Sequence, residues 1–290
     1  MEFSDKIDLH IHTTASDGTD SPEEIVSRVR EAGLELFAVT DHDAVKSSVR
    51  VMELLAPGDP AFLAGIEFSC RDEEGKYHIL GYGYDPTAEP MRRVVELGHS
   101  YRMTKVRARL EFLESTFGIR FPREEIDALL ALDNPGKPHI GNLMVKYGYA
   151  ESRGEAIRDY INKLRIRSRN VRPEEAIQGI LGGGGIPVLA HPFYGSGEEL
   201  ILGDDMDRRL RKLMDFGLRG VEAFYSGFTD KLRSQMLRMA ERYGLYVTAG
   251  SDYHGANKLI PLGDTGLRAD APRPEGLMRF LNDANIIRPQ

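Results

Sequence analysis

Seven short, β-rich apolar runs alternate with helical patterns along most of this chain, and that rhythm limits its fold more than any other feature. The runs cover residues 7–12, 36–40, 62–69, 77–84, 186–190, 220–224 and 246–249. Between them lie helical stretches with start and stop signals. Ser21, Pro22 and Glu24 form an N-cap, a first-turn proline and the third residue of a capping box, and Gly33 ends that helix. Further helices are expected over 44–55, 173–181, 205–216, 229–243 and 274–284. Repeated βα units predict a mostly parallel sheet covered by helices, either a closed barrel or an open doubly wound sheet. The rhythm breaks once. Residues 87–175 read as mostly helical, with helices over 91–117, 123–132, 139–147 and 152–164. The expected organisation is therefore a βα body, 1–86 and 176–290, carrying a helical insertion, 87–175.

Charge divides along the same line. The chain of 290 residues has a net charge of −7, yet residues 91–175 hold 17 Lys and Arg against 12 Asp and Glu. A basic insertion on an acidic body points to an anionic ligand for the insertion. The stretch Lys163, Arg165, Arg167, Arg169, Arg172 has no acid among its charges. An acidic chain overall argues against a non-specific nucleic-acid coat. One cysteine, Cys70, excludes an intrachain disulfide and a cysteine zinc finger. The start, MEFSDKIDLH, is charged where a signal peptide needs an apolar core, and no apolar run is long enough to span a membrane. A cytoplasmic protein with no stable protein partner is expected. The glycine run 182–185 precedes a strand, so it reads as a turn and not as a phosphate loop.

The histidines do not scatter. His10 and His12 close the first run and share a face, because side chains alternate along a strand. His42 follows the second run, Glu67 lies near the end of the third, and His78 is on the fourth. His191 follows the fifth, and Asp252 and His254 follow the last. In a βα barrel the carboxyl ends of the strands form the active face, so these residues become neighbours. Imidazoles mixed with carboxylates suit zinc, manganese or iron. His99 reads as a surface residue. Glu222 ends the sixth run, beside the histidines or bonded to nearby backbone. Cys70 has no evident base and is not expected to act as a thiol nucleophile.

In order along the chain stand Asp8-Leu9-His10-Ile11-His12-Thr13, Ser16-Asp17-Gly18, Thr40-Asp41-His42-Asp43, Gly65-Ile66-Glu67, His78, Ala190-His191-Pro192 and Gly250-Ser251-Asp252-Tyr253-His254. This set resembles the PHP (polymerase and histidinol phosphatase) superfamily, and within it the branch that hydrolyses nucleoside phosphates or RNA ends. The resemblance covers residues 1–86 and 176–260. It implies an α/β fold, a distorted (β/α)7 TIM-like barrel with a helical insertion, and two or three divalent ions (Mn, Zn or Fe). By resemblance His10, His12, Glu67 and Asp252 hold a first metal. Glu67 bridges to a second with His78 and His191, and Asp17, His42 and His254 hold a third. The implied chemistry is attack on phosphorus by a metal-bridging hydroxide. Glu67 and Asp41 are the candidate catalytic residues. Asp41 would orient His42 or a metal-bound water, with a purely structural role as the alternative. Lys137, His139 and Arg169 are candidates for holding the rest of a nucleotide or short oligonucleotide. The branch usually shows Arg-Pro-His where Lys137-Pro138-His139 stands, and lysine keeps the charge but loses bidentate phosphate binding. The rival readings are a histidinol-phosphate phosphatase and a non-catalytic, metal-stabilised interaction module.

Overall fold

The computed structural model describes residues 3–166, 169–194 and 200–289. It is a mixed α/β fold. The body begins β1 (Ile7–Ile11), α1 (Pro22–Glu31), β2 (Leu36–Val39), α2 (Lys46–Leu54), β3 (Ala61–Phe62), β4 (Gly65–Asp72) and β5 (Gly75–Tyr82). The helical stretch follows with α3 (Glu89–Phe117), α4 (Arg123–Leu130), α5 (Lys137–Lys146) and α6 (Arg153–Glu155). The body resumes with α7 (Pro173–Gly182), β6 (Ile186–Leu189), α8 (Gly203–Asp215), β7 (Gly220–Tyr225), α9 (Asp230–Tyr243), β8 (Tyr246–Gly250) and α10 (Glu275–Asp283). No helix among the described residues is long and apolar enough to cross a membrane.

The strands form two sheets, ordered β1-β2-β3 and β4-β5-β6-β7-β8. Two details differ from the sequence reading. The run over 62–69 is two strands: β3 pairs in parallel with β2, and β4 pairs with β5. Gly65 sits at the break, where a Cβ would lie 2.6 Å from the Val39 carbonyl oxygen and the Thr40 methyl, an approach only glycine allows. The second difference is direction. β5 runs antiparallel to both β4 and β6. Glu73 and Glu74 alone separate β4 from β5, and a turn this short joins only antiparallel strands. The remaining pairs, β1–β2, β6–β7 and β7–β8, are parallel as expected.

The two sheets meet beyond the carboxyl ends of β1 and β2. The Asp43 N–H donates to the Glu67 carbonyl at 2.9 Å, and the His12 N–H donates to the Tyr253 carbonyl at 2.9 Å. A cluster drawn from both sheets, including Ile7, Leu9, Leu36, Leu80, Tyr82 and Val188, lies between them. Outside, α1 and α2 cover β2, and a larger core joins the five-stranded sheet to α7, α8 and α9. The helical stretch has its own core, including Val106, Leu113, Leu129, Ile140 and Met144. α3 is 29 residues long, about 43 Å at helical rise. Its first half packs on α7, where Val94 meets Gly179, and its second half enters the separate core. The helix expected over 152–164 changes winding after α6, to π over Ala156–Tyr160 and then 3₁₀ over Ile161–Lys163. Ala156 and Ile161 are both buried, and their spacing of five residues stacks on one face only in a π turn.

The capping box at α1 is present. Ser21 Oγ accepts from the Glu24 N–H at 3.2 Å, and Glu24 Oε2 accepts from the Ser21 N–H at 2.7 Å. Ser21→Ala is expected to cost about 1 kcal/mol of stability. Urea unfolding should show a lower midpoint with an unchanged slope; an unchanged midpoint would show the cap to be energetically idle.

Candidate metal centre

Each sheet contributes side chains to one pocket. His10 and His12 project from β1 to the same side, with their Nε2 atoms 3.1 Å apart. Glu67 on β4 and His78 on β5 sit diagonally across an antiparallel pair, within reach of one another. His42 follows β2, His191 follows β6, Asp252 and His254 follow β8, and Asp17 lies in the loop before α1. Asp43, His191 and Asp252 are the described non-glycine residues with φ in the left-handed region, at 52°, 29° and 60°. All three lie in or beside this pocket, where strained backbone commonly marks a functional position.

Glu67 is the hub. Its Oε2 lies 3.3, 3.2 and 3.2 Å from nitrogens of His10, His12 and His42. Its Oε1 lies 2.9 and 3.1 Å from His78 Nδ1 and His191 Nε2. Asp252 Oδ1 is 3.5, 3.4 and 3.4 Å from nitrogens of His10, His12 and His254. Asp17 Oδ1 is 3.2 Å from His254 Nε2, and its Oδ2 is 4.0 Å from His42 Nε2. The donors fall into three overlapping groups able to hold an ion: His10, His12 and Glu67; His42, Glu67 and His78; and His12, Asp17, His42 and His254. All nine residues named from the sequence converge. His42, expected only beside Asp17, also reaches Glu67.

The donor set fits cations. Glu67 Oε2 is buried and accepts no hydrogen bond. His254 Nδ1 must donate to the Asp252 carbonyl at 2.8 Å, so the neutral ring turns a lone pair toward a carboxylate oxygen of Asp17. Two acceptors face each other there, an arrangement that a proton or a metal ion relieves. Burial opposes ionisation of Glu67, yet His78, His42 and His10 hold its carboxyl well below the usual range. Burial likewise opposes the charge on His12, but Asp252 and Glu67 push its imidazole up to about 9. Burial lowers His42 to about 3.

Two buried carboxylates brace the pocket. Asp41 accepts from the Thr13 N–H at 2.8 Å, from Thr13 Oγ1 at 2.6 Å, and from the hydroxyls of Ser16 and Ser47. These bonds clamp the loop after β1 to α2, the structural alternative for this residue. Asp8 accepts from the Ser251 N–H at 2.9 Å and the Ser251 hydroxyl at 2.6 Å, joining β1 to the segment after β8. Cys70 is buried, and burial raises its thiol well above the usual range.

Beside the pocket opens a cleft of about 290 Å³, lined by Asp17, His42 and His78 on one side and Arg102, Lys105, Arg109 and Lys137 on the other. Arg102, Lys105 and Arg109 recur at helical spacing on α3, a signal legible in the sequence beside the basic run 163–172. Arg102 pairs with Asp43. Among the described residues no carboxylate pairs with Lys105, Arg109 or Lys137. Burial and the neighbouring Arg102 lower Lys105 to about 8, against the opposing pull of Asp43, and Arg109 to about 10.

The other substrate candidates divide. Lys137 lines the cleft, its Nζ donating to Asn162 at 2.5 Å. His139 caps α5, its Nδ1 accepting from the Gly136 N–H at 3.2 Å, and burial lowers its imidazole. Arg169 is exposed and is not part of the cleft lining, as are Lys163 and Arg165. That segment alternates, with Leu164 and Ile166 half-buried and the basic residues toward solvent, as extended chain does. Arg172 pairs with Glu73, and Arg167 lies outside the described residues. His99 is half-buried rather than a surface residue: its ring nitrogen bonds the Asp133 carbonyl at 2.8 Å, tying α3 to the segment before α5.

Residues 8–165 match the PHP domain. The chain is 30% identical to a 3',5'-nucleoside bisphosphate phosphatase of Chromobacterium violaceum, over 98% of each protein. It is 28% identical to a 5'-3' exoribonuclease of Haemophilus influenzae, over 89% of this chain and 93% of that one. A solved structure from Bifidobacterium adolescentis superposes with a TM-score of 0.79 at 28% identity, covering 96% of each chain.

Proposed function

Because the chain belongs to the PHP domain family, we propose that it is a metal-dependent phosphoesterase acting on nucleotides, such as nucleoside 3',5'-bisphosphates, or on short oligonucleotide ends. The observation that carries this reading is the Glu67 carboxylate, buried, without a hydrogen bond to Oε2, and ringed by five imidazoles. In this reading His10, His12, Glu67 and Asp252 hold one ion. Glu67, His78 and His191 hold a second, and Asp17, His42 and His254 a third. Mixed nitrogen and oxygen donors suit manganese, zinc or iron. Bound divalent ions supply Lewis acidity toward phosphoryl oxygens and acidify water.

The protein's own residues do the remainder. Glu67 fixes the spacing of two donor groups through its two oxygens. Asp41 acts as a positioning residue, holding the Thr13–Ser16 loop that carries Asp17 nearby. Arg102, Lys105, Arg109 and Lys137 receive the anionic part of the substrate away from the reacting phosphate. The same cations disfavour an amine-bearing substrate such as histidinol phosphate. The bridges at Ile11–Tyr253 and His42–Glu67, with the core shared between the sheets, support a single distorted barrel formed by 1–86 and 176–290. The separate core supports 87–175 as an insertion over its mouth. One cysteine, buried and unpaired, fits a reducing cytoplasm.

Phosphate release from a nucleoside 3',5'-bisphosphate, a short 5'-phosphorylated RNA, p-nitrophenyl phosphate and histidinol phosphate tests this with manganese-loaded protein. The nucleotides should give the highest kcat/KM. Release from none of the four would overturn the proposal, and a clear preference for histidinol phosphate would replace it with the amine-bearing substrate.

A further inference from the structure

Glu222 on β7 belongs to none of the three donor groups, yet it touches His10 on β1 and the backbone of His191 after β6. Its Oε1 lies 2.8 Å from His10 Nδ1, and its Oε2 accepts from the His191 backbone N–H at 2.8 Å. The side chain is wholly buried. Gly250 makes room for it, since a Cβ there would lie 2.4 Å from Oε1 and 2.3 Å from the His10 Cβ. His191 has a strained backbone with φ of 29°, and its ring nitrogen faces Glu67.

We propose that Glu222 is a positioning residue that couples the first and second ion sites, a role that rests on the metal-centre reading above. A carboxylate is the one side chain of this length with two acceptors and no donor, and Glu222 has a donor at each oxygen. With Nδ1–H bonded to Glu222, His10 is held in the tautomer that turns its Nε2 lone pair toward Glu67, His12 and Asp252. The second oxygen pins the His191 backbone, which aims the His191 ring at the other oxygen of Glu67. Displacement of Glu222 would thus disturb both sites together.

Glu222→Gln tests this sharply. The amide has one acceptor, so its NH2 must face either the His10 Nδ1–H or the His191 N–H. His10 then changes tautomer, or the His191 amide loses its partner. Zinc titration without substrate, followed by elemental analysis, should show the ions at the two coupled sites binding about 10–100-fold more weakly. The Asp17–His42–His254 site should keep its affinity. The zinc-loaded native protein should show a low-field proton resonance from His10 Nδ1–H, lost or moved upfield in the variant, where the acceptor is at best a neutral amide oxygen. Unchanged zinc affinity at both coupled sites, or the resonance unmoved in Glu222→Gln, would overturn the proposal. If that variant fails to fold, Glu222→Asp decides, because it keeps both acceptors with a shorter reach. It should bind zinc about tenfold more weakly, toward the lower end of such effects, and unchanged affinity would again overturn the role. Both readouts use zinc alone, so a failure to hydrolyse phosphoesters would leave this result independent.

Discussion

Glu67→Gln is expected to lower phosphoester turnover by at least about 10³-fold, because metal electrostatics contribute several kcal/mol and each 1.36 kcal/mol is tenfold in rate. The size follows from position. Among the described residues Glu67 alone has two oxygens that together face five imidazoles. A carboxamide keeps the shape but removes the charge, and it places an NH2 against either His78 and His191 or His10, His12 and His42. Two donor groups lose their shared anion together. His254→Ala removes a donor from one group only, so its effect should be smaller. Metal content by elemental analysis, measured beside kcat, checks the cause: the Glu67 variant should lose metal and activity in parallel. Near-native turnover by Glu67→Gln would remove the hub from the mechanism.

Metal loading should depend steeply on pH, in a direction fixed by the imidazoles. Without metal, His12 is pushed up to about 9 and His10 lies well above its ordinary value, both held up by carboxylates against the opposing effect of burial. Both therefore carry protons near neutrality, and an ion must displace them. Between about pH 6.5 and 9 the apparent affinity should rise about tenfold per pH unit for each displaced proton, so roughly a hundredfold when both leave. Stability has the opposite sign in the metal-free protein. A His pKa raised above its unfolded value contributes fully below about pH 6.5, and the contribution is lost as pH rises through the folded value near 9. Metal-free protein should thus melt at lower temperature as pH rises across this window, while the stabilisation by added manganese grows. His42, lowered to about 3 chiefly by burial, acts in the other sense and only below pH 6.5. Thermal melts with and without manganese at pH 6.5, 7.5 and 8.5 check both slopes. A metal-induced shift that is flat across the series would show that no imidazole proton is displaced.

Much of this site is legible in the sequence because its logic is local. The two-residue spacing of His10 and His12 places them on one strand face whatever the tertiary fold. Short runs followed closely by His42, His191 or Asp252 announce strand ends. What stays hidden depends on pairing between distant segments. The turn 71–75 is visible, but its consequence, an antiparallel β5 that sets His78 diagonal to Glu67, is not. Asp41 looks like a site residue from its place beside His42, while its bonds to Thr13, Ser16 and Ser47 exist only once the chain is folded. Glu222 is similar, since its partners are His10 on β1 and His191 after β6. The basic residues are the instructive case. The segment 163–172 holds basic residues and no acid, yet Lys163, Arg165, Arg169 and Arg172 face solvent. Arg102, Lys105 and Arg109 line the cleft, and their helical spacing carries the stronger information about a shared face.

Anomalous diffraction from manganese-soaked crystals tests the central claim most directly. Two or three peaks are expected inside the ring of His10, His12, Asp17, His42, Glu67, His78, His191, Asp252 and His254, with Glu67 touching two of them. A pocket without an anomalous peak at saturating manganese would contradict the account.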